Sequence, residues 1–207
     1  MIRNRIHLGV LISGSGTNLH AIIDACNSGA LNAEVSLVIS DHYAAPGLQR
    51  AKDNGIDAIY IDRANYLTTR EYNTALRNML RDQPVDFVVM AGYMRLLGKE
   101  VLDFFPNRVV NLHPALLPSF PGASSIKDAF EYGVKVTGVT VHYANEHFDE
   151  GPIIAQEAIV IDEADTVVTL EAKIHEVEHR LLPATLALIA DGRVEIVGSK
   201  VKISPKE

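Results

Sequence analysis

This sequence is poor in several things, and each shortage removes a class of explanation. Its 207 residues hold one cysteine, Cys26. No intrachain disulfide can form, which fits a reducing compartment. No apolar run reaches membrane length. The stretch Leu8-Gly9-Val10-Leu11-Ile12 stops at Ser13-Gly14-Ser15-Gly16. Even with Arg3 and Arg5 ahead of it, that is too short for the apolar region of a signal peptide. The expected location is therefore cytoplasmic. Positive charge is scarce too: 19 Lys and Arg stand against 26 Asp and Glu, a net charge of −7. A nucleic-acid binder ordinarily carries a basic face, so neither nucleic acid nor membrane is an expected partner. A local basic pocket for a phosphate stays open. Repeats, low-complexity tracts and Pro-, Gly- or Ser-rich linkers are missing, and a single domain over residues 1–207 is expected.

What remains is an ordinary globular composition, 47% apolar and 22% charged, at a length that buries roughly 70% of the unfolded chain's surface. Four short apolar runs, Leu8–Ile12, Val35–Ile39, Ala58–Ile61 and Phe87–Met90, are separated by helical patterns over about 17–28, 45–54 and 69–82. Strands alternating with helices in this way give a parallel sheet. A fifth run, Arg108–Leu112, ends at His113. The pattern then changes. Val139–Tyr143 alternates and predicts a half-buried strand. Ile153–Ile161 predicts another, joined to it antiparallel. A helix over about 166–190 follows, with Pro183 expected to kink or divide it, and the tail from about 200 to 207 is expected to fray. The fold class is α/β, doubly wound and mostly parallel, with a Rossmann-like first half and an antiparallel addition in the second.

Two segments carry chemistry. Ser13-Gly14-Ser15-Gly16-Thr17-Asn18 lies between the first strand and the first helix, where glycines admit an anion and helix N–H groups attract it. A phosphate is the natural ligand. A dinucleotide stays open as an alternative, because Gly14 and Gly16 fit G-x-G-x-x-G and Asp41 follows the second strand, although the third glycine position is Leu19. The second segment is Asn111-Leu112-His113-Pro114-Ala115-Leu116-Leu117-Pro118, followed by Phe120-Pro121-Gly122. Asn111 and His113 sit two apart at a strand end, so both can face one cleft. An amide beside an imidazole can hold an oxyanion and move a proton. Prolines 114, 118 and 121 stiffen the loop behind them. A rival signal is His175-Glu176-Val177-Glu178-His179, which satisfies the zinc-hydrolase pattern H-E-x-x-H. Its helix already has a buried stripe through Ile174, Val177 and Leu181, and the sequence shows no convincing third ligand. His142, His147 and Asp149 form a looser group. No metal is expected at either place.

Together with Ala91-Gly92-Tyr93-Met94-Arg95-Leu96-Leu97 and Phe148-Asp149-Glu150-Gly151-Pro152, these segments resemble, in order, the phosphoribosylglycinamide formyltransferase family of folate-dependent formyltransferases. The resemblance runs from about residue 7 to 190. Asn-x-His-Pro-x-Leu-Leu-Pro is shared by the wider group. The phosphate loop and the length select this branch, since relatives acting on initiator methionyl-tRNA, and formyl-folate hydrolases, carry an additional domain for which 207 residues leave no room. The resemblance implies a formyltransferase fold, with 1–110 as the nucleotide- and phosphate-binding half and 111–190 as the catalytic and folate-binding half.

It also implies an activity: transfer of a formyl group from 10-formyltetrahydrofolate, as co-substrate, to the amine of glycinamide ribonucleotide in de novo purine biosynthesis. Asn111, His113 and Asp149 match the family's catalytic trio, with an anionic Asp149 expected to favour imidazolium at His113. Gly16, Thr17 and Asn18 match the phosphate-binding segment. Met94, Arg95, Leu96 and Leu97 match the wall of the folate pocket, with Asn111 beside it. Arg70 matches an arginine on the folate side and Glu178 an acid that contacts the ribonucleotide. The stretch Ala123-Ser124-Ser125-Ile126 departs from some relatives, which carry histidine or threonine there. Formyl transfer to a different amine, such as an amino sugar nucleotide, and a dinucleotide-binding oxidoreductase stay open as alternatives, and so does a homo-oligomer.

Overall fold

A computed structural model describes residues 5–206. Five strands run parallel: β1 (Ile6–Ile12), β2 (Ala33–Ser40), β3 (Asp57–Tyr60), β4 (Phe87–Met90) and β5 (Val109–His113). They are linked by α1 (Thr17–Asn27), α2 (Pro46–Asp53), α3 (Thr69–Arg81) and the short α4 (Lys99–Leu102). After α5 (Ser125–Tyr132) come β6 (Val136–Tyr143) and β7 (Ile153–Val160), then α6 (Val167–Ala190) and the hairpin β8 (Val194–Val197) and β9 (Lys200–Ile203). One seven-stranded sheet results, in the order β3-β2-β1-β4-β5-β6-β7. Only β6 runs against its neighbours. The fold is thus the doubly wound, mostly parallel α/β sheet with an antiparallel addition that the spacing predicts.

Local chemistry explains where the helices begin and end. Pro46 occupies the first turn of α2, where its missing N–H costs nothing. Thr68 and Glu71 form a capping box at α3, the Thr68 hydroxyl accepting from the Glu71 N–H at 3.1 Å. Thr166 and Thr169 do the same at α6, so each satisfies donors the helix leaves open. Successive residues of β1 enter opposite cores: Val10 and Ile12 join one with Leu19, Ile22 and Ile174, and Leu11 joins another with Leu76 and Leu80. Both faces of the sheet are covered, which is why the parallel strands read as unbroken apolar runs. The winding reverses between β1 and β4, and such a reversal opens a crevice beyond the carboxyl ends of the strands. The loops after β1 and β4 leave from there.

Three expectations need correction. β6 is buried on both faces except at Val136, rather than half-buried. Its polar residues are inside because they are paired: Thr140 donates to the Ala115 carbonyl at 2.6 Å and accepts from the Leu117 N–H at 3.1 Å. The loop from Pro114 to Phe120 therefore covers the face that alternation assigned to water. Second, Pro183 does not divide α6, which runs over 24 residues as one helix. Burial of Leu182, Leu186 and Ile189 on the core offsets the lost hydrogen bond and the steric cost of an internal proline, about 3 kcal/mol. Third, residues 200–203 are ordered as β9, paired with β8 around Gly198, because Val194, Ile196 and Val201 pack on the core. Among the described residues no helix is long and apolar enough to cross a membrane.

Candidate active site

The reversal of winding holds a cleft of about 610 Å³, within the usual size of a small-molecule site. One end is the Ser13–Asn18 loop. Gly16 caps α1 with φ at 70°, a left-handed geometry that suits glycine. The first helical hydrogen bond runs from the His20 N–H to the Gly16 carbonyl at 3.0 Å. The N–H groups of Thr17, Asn18 and Leu19 therefore precede the ladder and can serve an anion. Beneath the loop, α2 comes so close that a Cβ on Gly16 would stand 2.6 Å from the Gly47 Cα. The Gly47 N–H donates to the Gly14 carbonyl at 3.2 Å and Arg50 Nε to the Ser15 carbonyl at 2.8 Å.

Asp41, at the end of β2, is buried with both carboxylate oxygens committed. Oδ1 accepts from the Ser13 hydroxyl and Oδ2 from Arg95 Nε, each at 2.6 Å. A dinucleotide site needs an acid free to accept from a ribose hydroxyl, and Asp41 does not offer one. Met94 and Leu96 stand exposed on the lip of the cleft, and Leu97 is buried behind them. Arg70 does not join them. It is exposed at the start of α3 and pairs with Glu100 at 3.7 Å, outside the residues that line the cleft.

At the cleft's floor β5 delivers Asn111 and His113, and the loop after β6 delivers Asp149. Asp149 takes φ of 56°, a backbone region few non-glycine residues adopt outside functional turns. Its carboxylate ties three segments together. Oδ2 accepts from the Gly122 N–H at 2.9 Å and lies 3.4 Å from His113 Nδ1, while Oδ1 accepts from Asn111 Nδ2 at 3.3 Å. Burial pushes the Asp149 carboxyl upward, but contacts from His142, the Gly122 N–H and His113 outweigh it and hold the group below the ordinary carboxylate range. It is an anion at neutral pH.

Two influences oppose each other at His113. Burial lowers its pKa below the usual histidine value, and Asp149, as expected of a neighbouring anion, opposes that in part together with the Phe120 carbonyl. The lowered pKa favours the neutral ring at pH 7. Yet both nitrogens face acceptors, Nε2 at 2.8 Å from the Phe120 oxygen and Nδ1 toward Asp149. A neutral ring can donate to only one of them. The pocket is therefore built to receive a proton.

His142 is the residue that sequence reasoning passed over, naming it only in a loose metal group. It pairs with Asn111 across β5 and β6, beside a bulge after Val141, the kind of irregularity that re-aims a side chain. Its Nδ1 faces the Tyr143 carbonyl at 3.0 Å and its Nε2 faces Asn111 Nδ2 at 3.1 Å. A carbonyl only accepts, so Nδ1 carries a proton, and Nε2 lies between the Asn111 amide and Asp149 Oδ1, 3.6 Å away. Strand register carries this relationship, and no motif signals it.

At the end of the cleft beside the Ser13–Asn18 loop, Glu178 on α6 is buried. Its Oε2 accepts from Asn18 Nδ2 at 3.0 Å and from His175 Nδ1 at 2.8 Å. The contact with Glu178 raises the His175 pKa, while burial lowers that of His179. The two rings stack at 6.1 Å, and His179 Nε2 is buried with no hydrogen-bond partner among the described residues. The H-E-x-x-H histidines thus take part in packing and in holding Glu178.

Residues 6–186 match the formyl transferase family model. Phosphoribosylglycinamide formyltransferase of Bacillus subtilis is 39% identical over 177 residues, covering 86% of this chain and 91% of that protein. The trifunctional purine biosynthetic protein adenosine-3 of Gallus gallus is 40% identical over 193 residues. This chain spans about a fifth of that longer relative, 19% of its length. Among solved structures, glycinamide ribonucleotide transformylase 1 from Symbiobacterium toebii superposes with a TM-score of 0.95 at 48% identity, covering 97% of this chain and 94% of that one.

Proposed function

From the premise that this chain belongs to the formyl transferase family, we propose that it transfers the formyl group of 10-formyltetrahydrofolate to the amine of glycinamide ribonucleotide, a step of purine biosynthesis. One observation carries the reading. Asn111, His113 and Asp149 converge in a single cleft whose other end is the anion-ready loop Gly16–Asn18. The catalytic centre and the phosphate site are thus parts of one pocket, as a small phosphorylated amine requires. Residues 1–110 then supply the phosphate-binding half and 111–190 the catalytic half, with the folate against Met94–Leu97.

In this mechanism the ribonucleotide's phosphate takes the free N–H groups at the start of α1, and Glu178 faces its ribose. The neutral amine attacks the formyl carbon, forming the new C–N bond. Negative charge gathers on the formyl oxygen. The Asn111 contact to Asp149 is long, at 3.3 Å, and that N–H is the one an incoming oxyanion can take over. His113, neutral and flanked by acceptors, receives the proton the amine gives up. Asp149 stabilises the imidazolium so formed. Collapse of the intermediate breaks the bond between the formyl carbon and the folate nitrogen, and that nitrogen takes up the proton held on His113, which returns to its neutral form. No metal enters these steps, because the amine is nucleophilic without one. Both substrates are small molecules, and the cytoplasm is where they would be met.

The test is a spectrophotometric assay of the purified chain with 10-formyltetrahydrofolate and glycinamide ribonucleotide. Product absent under conditions where the protein is folded would overturn the reading. Turnover with an amino sugar nucleotide in place of glycinamide ribonucleotide would move it to a different amine.

A further inference from the structure

Ser13 opens the phosphate loop, and Met94 and Arg95 open the loop on the opposite wall. Between them lies Asp41, which is not among the residues that line the cleft. The Ser13 hydroxyl donates to Asp41 Oδ1 and accepts from the Met94 N–H at 2.9 Å, while the Ser13 N–H donates to the Gly92 carbonyl at 3.0 Å. On the other oxygen of Asp41, Arg95 Nε is bound at 2.6 Å. The Arg95 guanidinium also stands over the Tyr72 ring, 5.9 Å from its centroid, and the Tyr72 hydroxyl meets that of Tyr93 at 2.6 Å. A buried carboxylate using both oxygens on charge-assisted or short hydrogen bonds is held firmly and leaves its partners little freedom.

We propose that Asp41 is a positioning residue for formyl transfer, holding the Met94–Leu97 wall in register with the Ser13–Asn18 phosphate loop. The assignment changes the role of Arg95. Its Nε is turned to Asp41, so Arg95 shapes the folate wall through the carboxylate as well as lining the cleft. The proposal rests on the formyl-transfer reading only for which substrate meets which wall. The linkage itself is a matter of the two loops.

Chemistry makes the test asymmetric. Asp41→Asn keeps one acceptor where the carboxylate has two, and in either amide orientation the negative charge opposite Arg95 is lost, whereas the Ser13 hydroxyl can donate to the amide oxygen or accept from its N–H₂. The variant removes the charge that holds Arg95, while the Met94 N–H keeps the Ser13 hydroxyl and the Ser13 N–H keeps the Gly92 carbonyl. Steady-state assays with 10-formyl-dideazafolate and glycinamide ribonucleotide should show the donor KM raised about tenfold, the ribonucleotide KM within about twofold, and kcat changed less than the donor KM. Ser13→Ala, which removes the shared hydroxyl, should raise both KM values. In the double variant of Asp41→Asn with Arg95→Gln, the donor KM should be no worse than in Asp41→Asn alone, because both act on one contact. Equal changes in the two KM values, or additive effects in the double variant, would overturn the proposal. Backbone amide spectra of the ligand-free protein provide a readout independent of turnover. Asp41→Asn should move the resonances of Met94–Leu97 more than those of Gly16–Asn18. Unmoved wall resonances in a folded variant sink the linkage, whereas a wild-type chain that transfers no formyl group but shows these shifts sinks only the assigned reaction. Should Asp41→Asn fail to fold, Arg95→Gln alone carries the same two expectations.

Discussion

Gly47 of α2 supports Gly16 of the phosphate loop at backbone contact. A Cβ added to Gly47 would stand 2.3 Å from the Ile12 Cδ1, 3.1 Å from the Gly16 Cα and 3.3 Å from the Gly14 carbonyl oxygen. Gly47 lies outside every motif, yet its lack of a side chain sets the height of the loop. Gly47→Ala should therefore raise the KM for glycinamide ribonucleotide about tenfold and cost about 1–3 kcal/mol of stability from overpacking. The nucleoside lacking phosphate should already bind at least about tenfold more weakly to the wild type and should lose little more in the variant. The two substrate forms, assayed on both proteins, check this. An equal loss for both forms would show that the loop does not read phosphate.

Asn111→Ala and His113→Ala should each lower kcat by roughly a hundredfold or more, the size associated with loss of an oxyanion donor or acid–base group. Substrate KM values should change less. Turnover near the wild-type level in either purified, folded variant would remove that residue from the mechanism.

The pH dependence follows from the state of His113. Burial holds its pKa below the ordinary value and Asp149 pulls it up in part, so the neutral, proton-accepting form is present at pH 7 and lost as pH falls through that lowered pKa. Removing the anion removes the upward pull. Asp149→Asn should lower the His113 pKa further, shift the acidic limb of the rate profile to lower pH, and reduce kcat because the imidazolium formed in turnover loses its stabiliser. An NMR titration of the His113 ring in both proteins is the direct measurement. Identical midpoints would show that the two groups are not coupled.

Glu178→Gln should raise the ribonucleotide KM about tenfold. A Gln carbonyl can take the Oε2 position that serves Asn18 and His175, but it then places an N–H₂ where Oε1 offers a second acceptor. His179→Ala should leave that KM nearly unchanged, since the ring makes no hydrogen bond through Nε2. Michaelis constants for the three proteins separate the neighbours. A larger effect at His179 would reverse their assigned importance.

The same helix allows one check on metal. The protein should purify without stoichiometric zinc and keep its activity after chelator treatment, because His175 is held by Glu178 and a hydrolytic zinc site needs three protein ligands with an open position. Plasma emission analysis decides it. One zinc per chain, with activity lost on chelation and restored by zinc, would promote the hydrolase.

Much of this was legible before any coordinates, and the exceptions share a cause. The parallel strands announce themselves because both faces meet apolar cores, and the capping residues Thr68 and Glu71 mark a helix start by local chemistry alone. Sequence spacing also places Asn111 and His113 on one strand end, where the fold puts them. The errors arise where a distant partner changes the meaning of a residue. Thr140 reads as solvent-facing until the loop it fastens is known. The upward pull of Asp149 on His113 is legible in the motif, whereas the burial that outweighs it is not. His142 acquires its role from strand register, and Asp41 from two loops that meet only in space. Arg70, assigned to the folate side by resemblance, lies outside the lining of the cleft, and nothing in its own neighbourhood of sequence reveals that.

The hydrogen bond from Asn18 to Glu178 joins residues 160 positions apart. The first turn of α1 forms from local contacts early in the chain, but the acid that faces it arrives on α6, the last long helix. Closing so long a loop carries an entropic cost that the docking of the two helices offsets. The end of the cleft between Asn18 and Glu178 is therefore complete only in chains whose first and last major helices have docked. A substrate that bridges α1 and α6 would bind the finished fold and not its precursors, so occupancy would stabilise the whole molecule by mass action.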